Sequence, residues 1–326
     1  MGGSPFDIED ADRPLIAQRY RLMKQLGKGS FCVAYLAVHT KKPASHPHLC
    51  VKVEKTDNEK QRFRQLHFEA KLYEMLRHED GFPHARHFGK EKGFNFLAME
   101  LLGPNIDDLY TANDNHFSLR CVCGMAMQMI TRLESLHKYD FIHRDIKPEN
   151  FMIGRYKKAS VVYLSDMGLC KKFRDSTLNV HIPFQTNRSL AGTARYASVN
   201  ALTGNEQSRR DDIESLGYML VYLIKGQLPW QGLKGDDRKQ KYSRICECKR
   251  QTTTEALCAG LPSEFSQYVS YARNLKFEED PNYNYLRGLF TTRLTSLSKE
   301  TPSSGRHFDW ISKVPQKFAD IIHPPD

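Results

Sequence analysis

Two rhythms of apolar and polar residues divide the chain. Up to about residue 102 apolar positions fall in short runs and alternations; after Gly103 and Pro104 they mostly recur every three to four residues. "RYRLMKQLGKGSFCVAYLAVHT", residues 19–40, predicts a strand, a tight glycine turn and a second strand. "PASHPH" is a connection, and "LCVKVE" a third strand. "EKQRFRQLHFEAKLYEMLRHE" is rich in helix formers, with Phe68, Leu72, Met75 and Leu76 at helical spacing. "FNFLAMELL" predicts a further strand. In "SLRCVCGMAMQMITRLESLHKYD", residues Val122, Met125, Ala126, Met129, Ile130, Leu133 and Leu136 form one stripe. A methionine-rich stripe serves some binding surfaces, but a buried core helix is the preferred reading. Residues 1–18, with "GGSP" and "EDADRP", lack periodicity and read as a tail. Near the other end, "KETPSSGR" predicts an exposed loop, and Phe308 and Trp310 of "HFDWISKV" are expected to dock back. No internal repeat or low-complexity segment interrupts this order.

A chain of 326 residues suggests two domains or one bilobal unit. No apolar run approaches the roughly 18 residues of a membrane span, and no secretory leader pattern opens the chain. "MGGSPF" carries Phe6 where a myristoylation motif has Ser or Thr, so no lipid anchor is expected. The eight cysteines lack zinc-site spacing, which favours reduced thiols in an intracellular protein. Cytoplasm is the expected compartment, with the nucleus also open. The net charge of +10 favours anionic partners without choosing among nucleic acid, acidic peptide and phosphate.

Candidate chemistry narrows that choice. In "GKGSFCV", Gly27 and Gly29 let backbone amides approach phosphate oxygens, although alone the pair reads as an ordinary hairpin. Lys52 stands in an otherwise apolar strand, where an ammonium is costly unless paired. Glu69, on the following helix, offers the partner; taken singly it reads as a solvated helix residue. "HRDIKPEN" is far more specific. Asp145 is placed to accept the proton of an attacking hydroxyl, Lys147 to neutralise a moving phosphoryl group, and Asn150 to hold a metal ion. Asp166, 16 residues beyond Asn150 in "YLSDMGLCKKF", is placed to chelate Mg²⁺ bridging nucleotide phosphates. Together these residues form the protein-kinase signature, with Met167 where Phe is usual.

Longer stretches sharpen the resemblance. "LLGPNIDDLY", "HRDIKPENFMIG", "GTARYASVNA", "EQSRRDDIESLGYMLVYLIKGQLPWQGLK" and "PNYNYLRGLF" closely resemble casein kinase I, over about Tyr20 to Trp310. "ARYASVN" replaces the Ala-Pro-Glu of most kinases, as in casein kinase I and the related tau-tubulin kinases. "LPWQGLK" and "EQSRRDD" look more like casein kinase I proper, and the divergence elsewhere suggests a side branch.

The resemblance implies an α+β bilobal kinase fold. It would comprise a tail at 1–18, a kinase domain at 19–312 and a second tail at 313–326. The β-rich N-lobe would span about 19–99, the hinge 100–103 and the helical C-lobe 104–312, with ATP between the lobes. Leu102 would offer its backbone to adenine and Met99 would stand at the gatekeeper position. Leu26, Ala34, Cys50 and Met152 would line the adenine slot. Asp212 would brace the catalytic loop. Arg195, Gln231, Gly232 and Lys241 would form an anion pocket for acidic or phosphate-primed protein substrates; Lys241 alone reads as a solvated charge. Lys147 fits Ser/Thr kinases. ATP and Mg²⁺ are the implied cofactors, and a monomer without tail-based autoinhibition is expected.

Two departures bear on activity. Met167 for Phe alters packing more than chemistry. Cys32 replaces the third glycine of the turn; one reading has nearby Lys28 and exposed amides favour its thiolate, and the other, of at least equal weight, has a small residue merely tolerated there. The alternatives are a weakly active or pseudokinase scaffold, and a nucleic-acid-binding module. The first would be marked by loss of Lys52, Asp145, Asn150 or Asp166, and all four stand; the second has no recognised motif.

Overall fold

Period-two alternation builds the first part of the molecule. The computed structural model describes residues 14–29, 31–41, 48–56, 65–91, 93–300, 308–312 and 315–316. The chain divides into two units, Met1–Leu102 with Ser165–Gly168, and Gly103–Leu164 with Leu169–Asp326. In the first unit, β1 (Leu15–Ile16), β2 (Tyr20–Lys28), β3 (Val33–His39), β4 (His48–Lys55), β5 (Ala85–Glu91) and β6 (Phe94–Glu100) form one antiparallel sheet in the order β1-β2-β3-β4-β6-β5. Successive side chains of a strand point to opposite faces. Val33, Tyr35 and Ala37 of β3 and Leu49, Val51 and Val53 of β4 pack into one core with Leu22 and Phe96. The register pairs Ala34 with Lys52, and Cys50 with both Leu36 and Met99. Ala34, Cys50, Lys52 and Met99 therefore share the opposite face.

Helix α1 (Gln65–Met75) packs against β4, β5 and β6. Its buried face matches the predicted one at Leu72, with Leu76 just beyond the helix also buried, and differs at Phe68 and Met75. Leu66, Glu69, Ala70, Leu72 and Tyr73 are buried, Phe68 is half-buried and Met75 is exposed. The expected tail of residues 1–18 also ends sooner than the pattern suggested. Leu15 and Ile16 pair with β2, Ile16 is buried, and the Ala17 N–H donates to Glu91 Oε2 at 2.7 Å.

The second unit contains α2 (Ile106–Ala112), α3 (Leu119–Lys138), α4 (Val199–Leu202), α5 (Arg209–Lys225), α6 (Arg238–Gln251), α7 (Thr254–Leu257), α8 (Ser263–Asn274), α9 (Tyr283–Glu300) and α10 (Asp309–Ser312). Short pairs β7 (Phe141–Ile142) with β10 (Lys171–Lys172), and β8 (Phe151–Ile153) with β9 (Val162–Leu164), frame the loop at 143–150. Ser118 caps α3, its hydroxyl accepting from the Cys121 N–H at 3.2 Å. All seven residues of the predicted stripe on α3 are fully buried, and the helix packs against α5 and α9 as a core element. Phe308 and Trp310 dock as expected. Trp310 Nε1 donates to the Ala159 carbonyl at 2.9 Å, and Asp309 Oδ2 accepts from the Ser118 N–H at 2.7 Å. The motif around Phe6, residues 43–47 of the first connection, the helix start at 59–64, the loop at 301–306 and all of 313–326 but 315–316 lie outside the described residues.

Candidate active site

In the first unit Lys52 reaches from β4 to α1, its Nζ 2.6 Å from Glu69 Oε1. Glu69 is buried, so the inward face of α1 carries a carboxylate, and Lys52 offsets the cost of burying it. Lys52 Nζ also lies 4.0 Å from Asp166 Oδ1. Burial alone would pull the ammonium's pKa down, but Glu69 and Asp166 outweigh it and hold the pKa well above the ordinary lysine value. Asp166 takes the left-handed backbone (φ 60°), and its N–H donates to the Tyr73 hydroxyl at 3.0 Å. Its side chain is 55% exposed, against 14% for Lys52. Met167 beside it is fully buried, the apolar filling expected of it. The Gly29 N–H donates to the Cys32 carbonyl at 2.9 Å and closes the turn; Gly27 pairs with Ala34, and Leu26 beside it is exposed.

Of the two readings of Cys32, the structure favours the unreactive one. Burial pushes the thiol up to about 12, and the Glu69 and Asp166 carboxylates add to the rise against the pull of Lys52. The thiol, not the thiolate, is the form present near neutral pH.

In the second unit the loop at 143–150 is clamped from below by Asp212 on α5. Asp212 Oδ2 accepts from the His143 N–H at 2.7 Å and lies 3.0 Å from His137 Nε2; Oδ1 accepts from the Arg144 N–H at 2.9 Å. Burial would raise this carboxyl, but those partners more than offset it, and its pKa lies below the ordinary range. Asp145, so positioned, is held at both oxygens. Oδ1 accepts from Thr193 Oγ1 at 2.8 Å, and Lys147 Nζ lies 2.8 Å from Oδ2. Asn150 Nδ2 donates to the Asp145 carbonyl at 2.8 Å, which fixes which end of its amide is oxygen. Gly192 approaches the same loop with φ 88°, where any Cβ would overlap the Arg144 carbonyl oxygen. A carboxylate oriented between a hydroxyl and an ammonium suits removal of a proton from a hydroxyl nucleophile. A family model of the protein kinase domain matches residues 20–276.

The chain belongs to the protein kinase family. Its sheet-based unit and helical unit are the two lobes of the α+β kinase fold. Kinase chemistry uses ATP and typically Mg²⁺. Each unit offers oxygen chemistry that suits a hard cation: the exposed Asp166 carboxylate in the first, and in the second the Asn150 amide oxygen, oriented through its nitrogen. Of the adenine-slot candidates, Ala34 and Cys50 share the sheet face of Lys52, as does Met99, the gatekeeper candidate. Leu102 is buried at the end of the first lobe's main segment, and Met152 on β8 bridges to Asn105 within the second.

The helical lobe of the kinase also holds a depression of about 700 Å³ lined by Arg195, Gln231, Gly232 and Lys241. The Arg195 guanidinium lies over the rings of Tyr196 and Tyr222, 5.7 and 5.6 Å from their centroids. Gln231 Oε1 accepts from the Leu228 N–H at 2.6 Å, which leaves its amide nitrogen as the group suited to an anion. Lys234, which the motifs did not single out, lines the depression too, and Glu149 is the acid in its wall. Thr193 and Tyr73 were likewise missed. Thr193 stood inside the quoted "GTARYASVNA", and that position was the available signal; Tyr73 had none beyond an aromatic ring on a helix.

Proposed function

We propose that this kinase is a Ser/Thr kinase of the casein kinase I type, phosphorylating hydroxyls that lie downstream of an acidic or phosphorylated residue. The observation that carries the reading is the convergence of Arg195 and Lys241, with Gln231 and Gly232, on one depression of the helical lobe. The motifs "GTARYASVNA" and "LPWQGLK" that supply these residues are those that resemble casein kinase I. A planar guanidinium and an ammonium suit a phosphate better than a carboxylate, because the phosphate carries more charge and three acceptor oxygens. Monomeric action on protein substrates belongs to the same reading. Among the described residues no helix is long and apolar enough to cross a membrane.

The residues divide the work. Lys52, steadied by Glu69, presents its ammonium to nucleotide phosphate oxygens. Asp145, oriented by Thr193 and Lys147, accepts the proton as the acceptor hydroxyl bonds to the γ-phosphorus and ADP leaves. Lys147 neutralises the charge of the transferring group. Asp166 and Asn150 are the residues that would hold Mg²⁺, which supplies charge neutralisation at the phosphates when bound.

Kinetics on matched peptides with and without an upstream phosphoserine test the reading. Arg195→Ala and Lys241→Ala should each cost about ten- to a hundredfold in kcat/KM on the primed peptide, the value of a charge-assisted contact. The loss on the unprimed peptide should be small, and added salt should weaken the primed peptide more steeply. Equal losses on both peptides would place substrate choice elsewhere.

A further inference from the structure

Beneath the depression lies a lysine that phosphoryl transfer does not use. Lys249, on α6, is fully buried. Its ammonium donates to the carbonyls of Ala194 at 3.2 Å, Arg195 at 3.1 Å, and Ala197. It stands 4.7 Å from the ring centroids of both Tyr218 and Trp230, which meet edge to face. Trp230 Nε1 donates to the same Arg195 carbonyl at 2.7 Å. A buried cation is costly without partners, and here three carbonyls and two π faces compensate it. The following residues are held by acids instead. Glu214 Oε1 accepts from the Val199 N–H at 2.9 Å, and Asp211 Oδ1 accepts from Ser198 Oγ at 2.5 Å. The run from Ala194 to Val199 is therefore pinned through its carbonyls by one ammonium and at its far end by two carboxylates. This is the stretch in which "ARYASVN" replaces the Ala-Pro-Glu of most kinases.

The geometry points to Lys249 as a positioning residue for substrate selection: with Trp230 it fixes the backbone of Arg195, so that the guanidinium is already set in the anion depression when a substrate arrives. The inference rests on the reading of that depression as a substrate-anion site. Its physical content is preorganisation. A long side chain ordered only on binding costs affinity, whereas one whose backbone is fixed in advance loses less freedom at that step. Arg195 is exposed, its guanidinium lies over the Tyr196 and Tyr222 rings, and its carbonyl is anchored by two donors.

The test is steady-state kinetics on the matched primed and unprimed peptides. It compares wild type, Arg195→Ala, Lys249→Met, Trp230→Phe and the double variant Arg195→Ala/Lys249→Met. Burial lowers the Lys249 pKa to about 7; Glu214 of α5 and the thiols of Cys246 and Cys248 on α6 oppose the fall, and Arg273 of α8 adds to it. The assays therefore run at about pH 6.5, where phosphoserine is still mostly dianionic. Lys249→Met should lower the primed-to-unprimed ratio of kcat/KM by about tenfold, mainly through KM for the primed peptide. Trp230→Phe keeps a ring over the ammonium but loses the N–H, and should shift the ratio in the same direction by less. In the Arg195→Ala background Lys249→Met should leave the ratio where Arg195→Ala alone put it.

A folded Lys249→Met that loses equally on both peptides would make Lys249 merely structural. Should that variant not fold, an unchanged ratio in Trp230→Phe overturns the inference by itself. If wild type shows no primed preference, the depression is not an anion site, and the inference fails with that reading.

Discussion

Cys32 and Met167 are the two positions where single residues depart from the common kinase pattern, and neither removes a charged group of the site. Met167 is fully buried, as an apolar replacement for Phe requires. Cys32 sits where a glycine is usual, and its thiol feels Lys52, Glu69 and Asp166 together. Sequence proximity to Lys28 leaves an activated thiolate and an inert small residue both open. Burial decides the matter instead, because desolvation penalises the thiolate more than Lys52 supports it. A brief maleimide pulse read by mass spectrometry should therefore label Cys32 slowly at neutral pH. The rate should rise about tenfold per pH unit toward the pKa of about 12, following the thiolate fraction. Fast labelling at neutral pH in folded protein would show that the thiolate is not disfavoured as described.

At the scale of elements, legibility followed the number of faces an element buries. β3, β4 and α3 were readable because each repeats a clean period, two for the strands and about 3.6 for the helix. α1 was read with its buried face partly displaced, since the inward-facing Glu69 looks polar in a pattern and is inward only to meet Lys52. β1 has two residues, too few for alternation to register. β5, "ARHFGKE", is mostly polar; its Gly89 lies against Phe96, where a Cβ would stand 2.5 Å from the ring. Within the site, the groups that lie close in sequence, such as Asp145, Lys147 and Asn150, were legible as a motif. Thr193 to Asp145 spans 48 residues and Tyr73 to Asp166 spans 93, so those contacts required the fold. The α5 carboxylate Asp212 ties one element to another and supports a prediction. Its folded pKa is below the unfolded value of about 3.9. It therefore contributes stability that is present above the unfolded pKa and is lost as pH falls through the folded one. Asp212→Asn loses an acceptor for backbone N–H groups and should cost about 1.5–3 kcal/mol at neutral pH. Urea unfolding across the acid range should also show a flatter decline than wild type. An identical acid slope in the two proteins would mean that another carboxylate controls the loss.

For the whole molecule, the division of labour follows the two lobes. The sheet lobe holds Lys52, Glu69 and Asp166, the set that the proposed function directs at phosphate; the helical lobe holds Asp145, Lys147 and Thr193, the set it directs at the acceptor hydroxyl, and the depression at Arg195. The net charge of +10 suits anionic substrates and adds a long-range attraction that salt screens. The central claim is that this chain is a working kinase despite Met167 and Cys32. Transfer of labelled γ-phosphate from Mg²⁺–ATP to a peptide carrying one phosphoserine upstream of a single acceptor Ser tests it most directly, with Asp145→Asn as the control. Wild type should place label on the acceptor hydroxyl. Asp145→Asn should lower turnover by about 10²- to 10⁴-fold, the contribution of a positioned base, with nucleotide binding retained. Absence of transfer by wild-type protein, restored by Met167→Phe with Cys32→Gly, would contradict the claim.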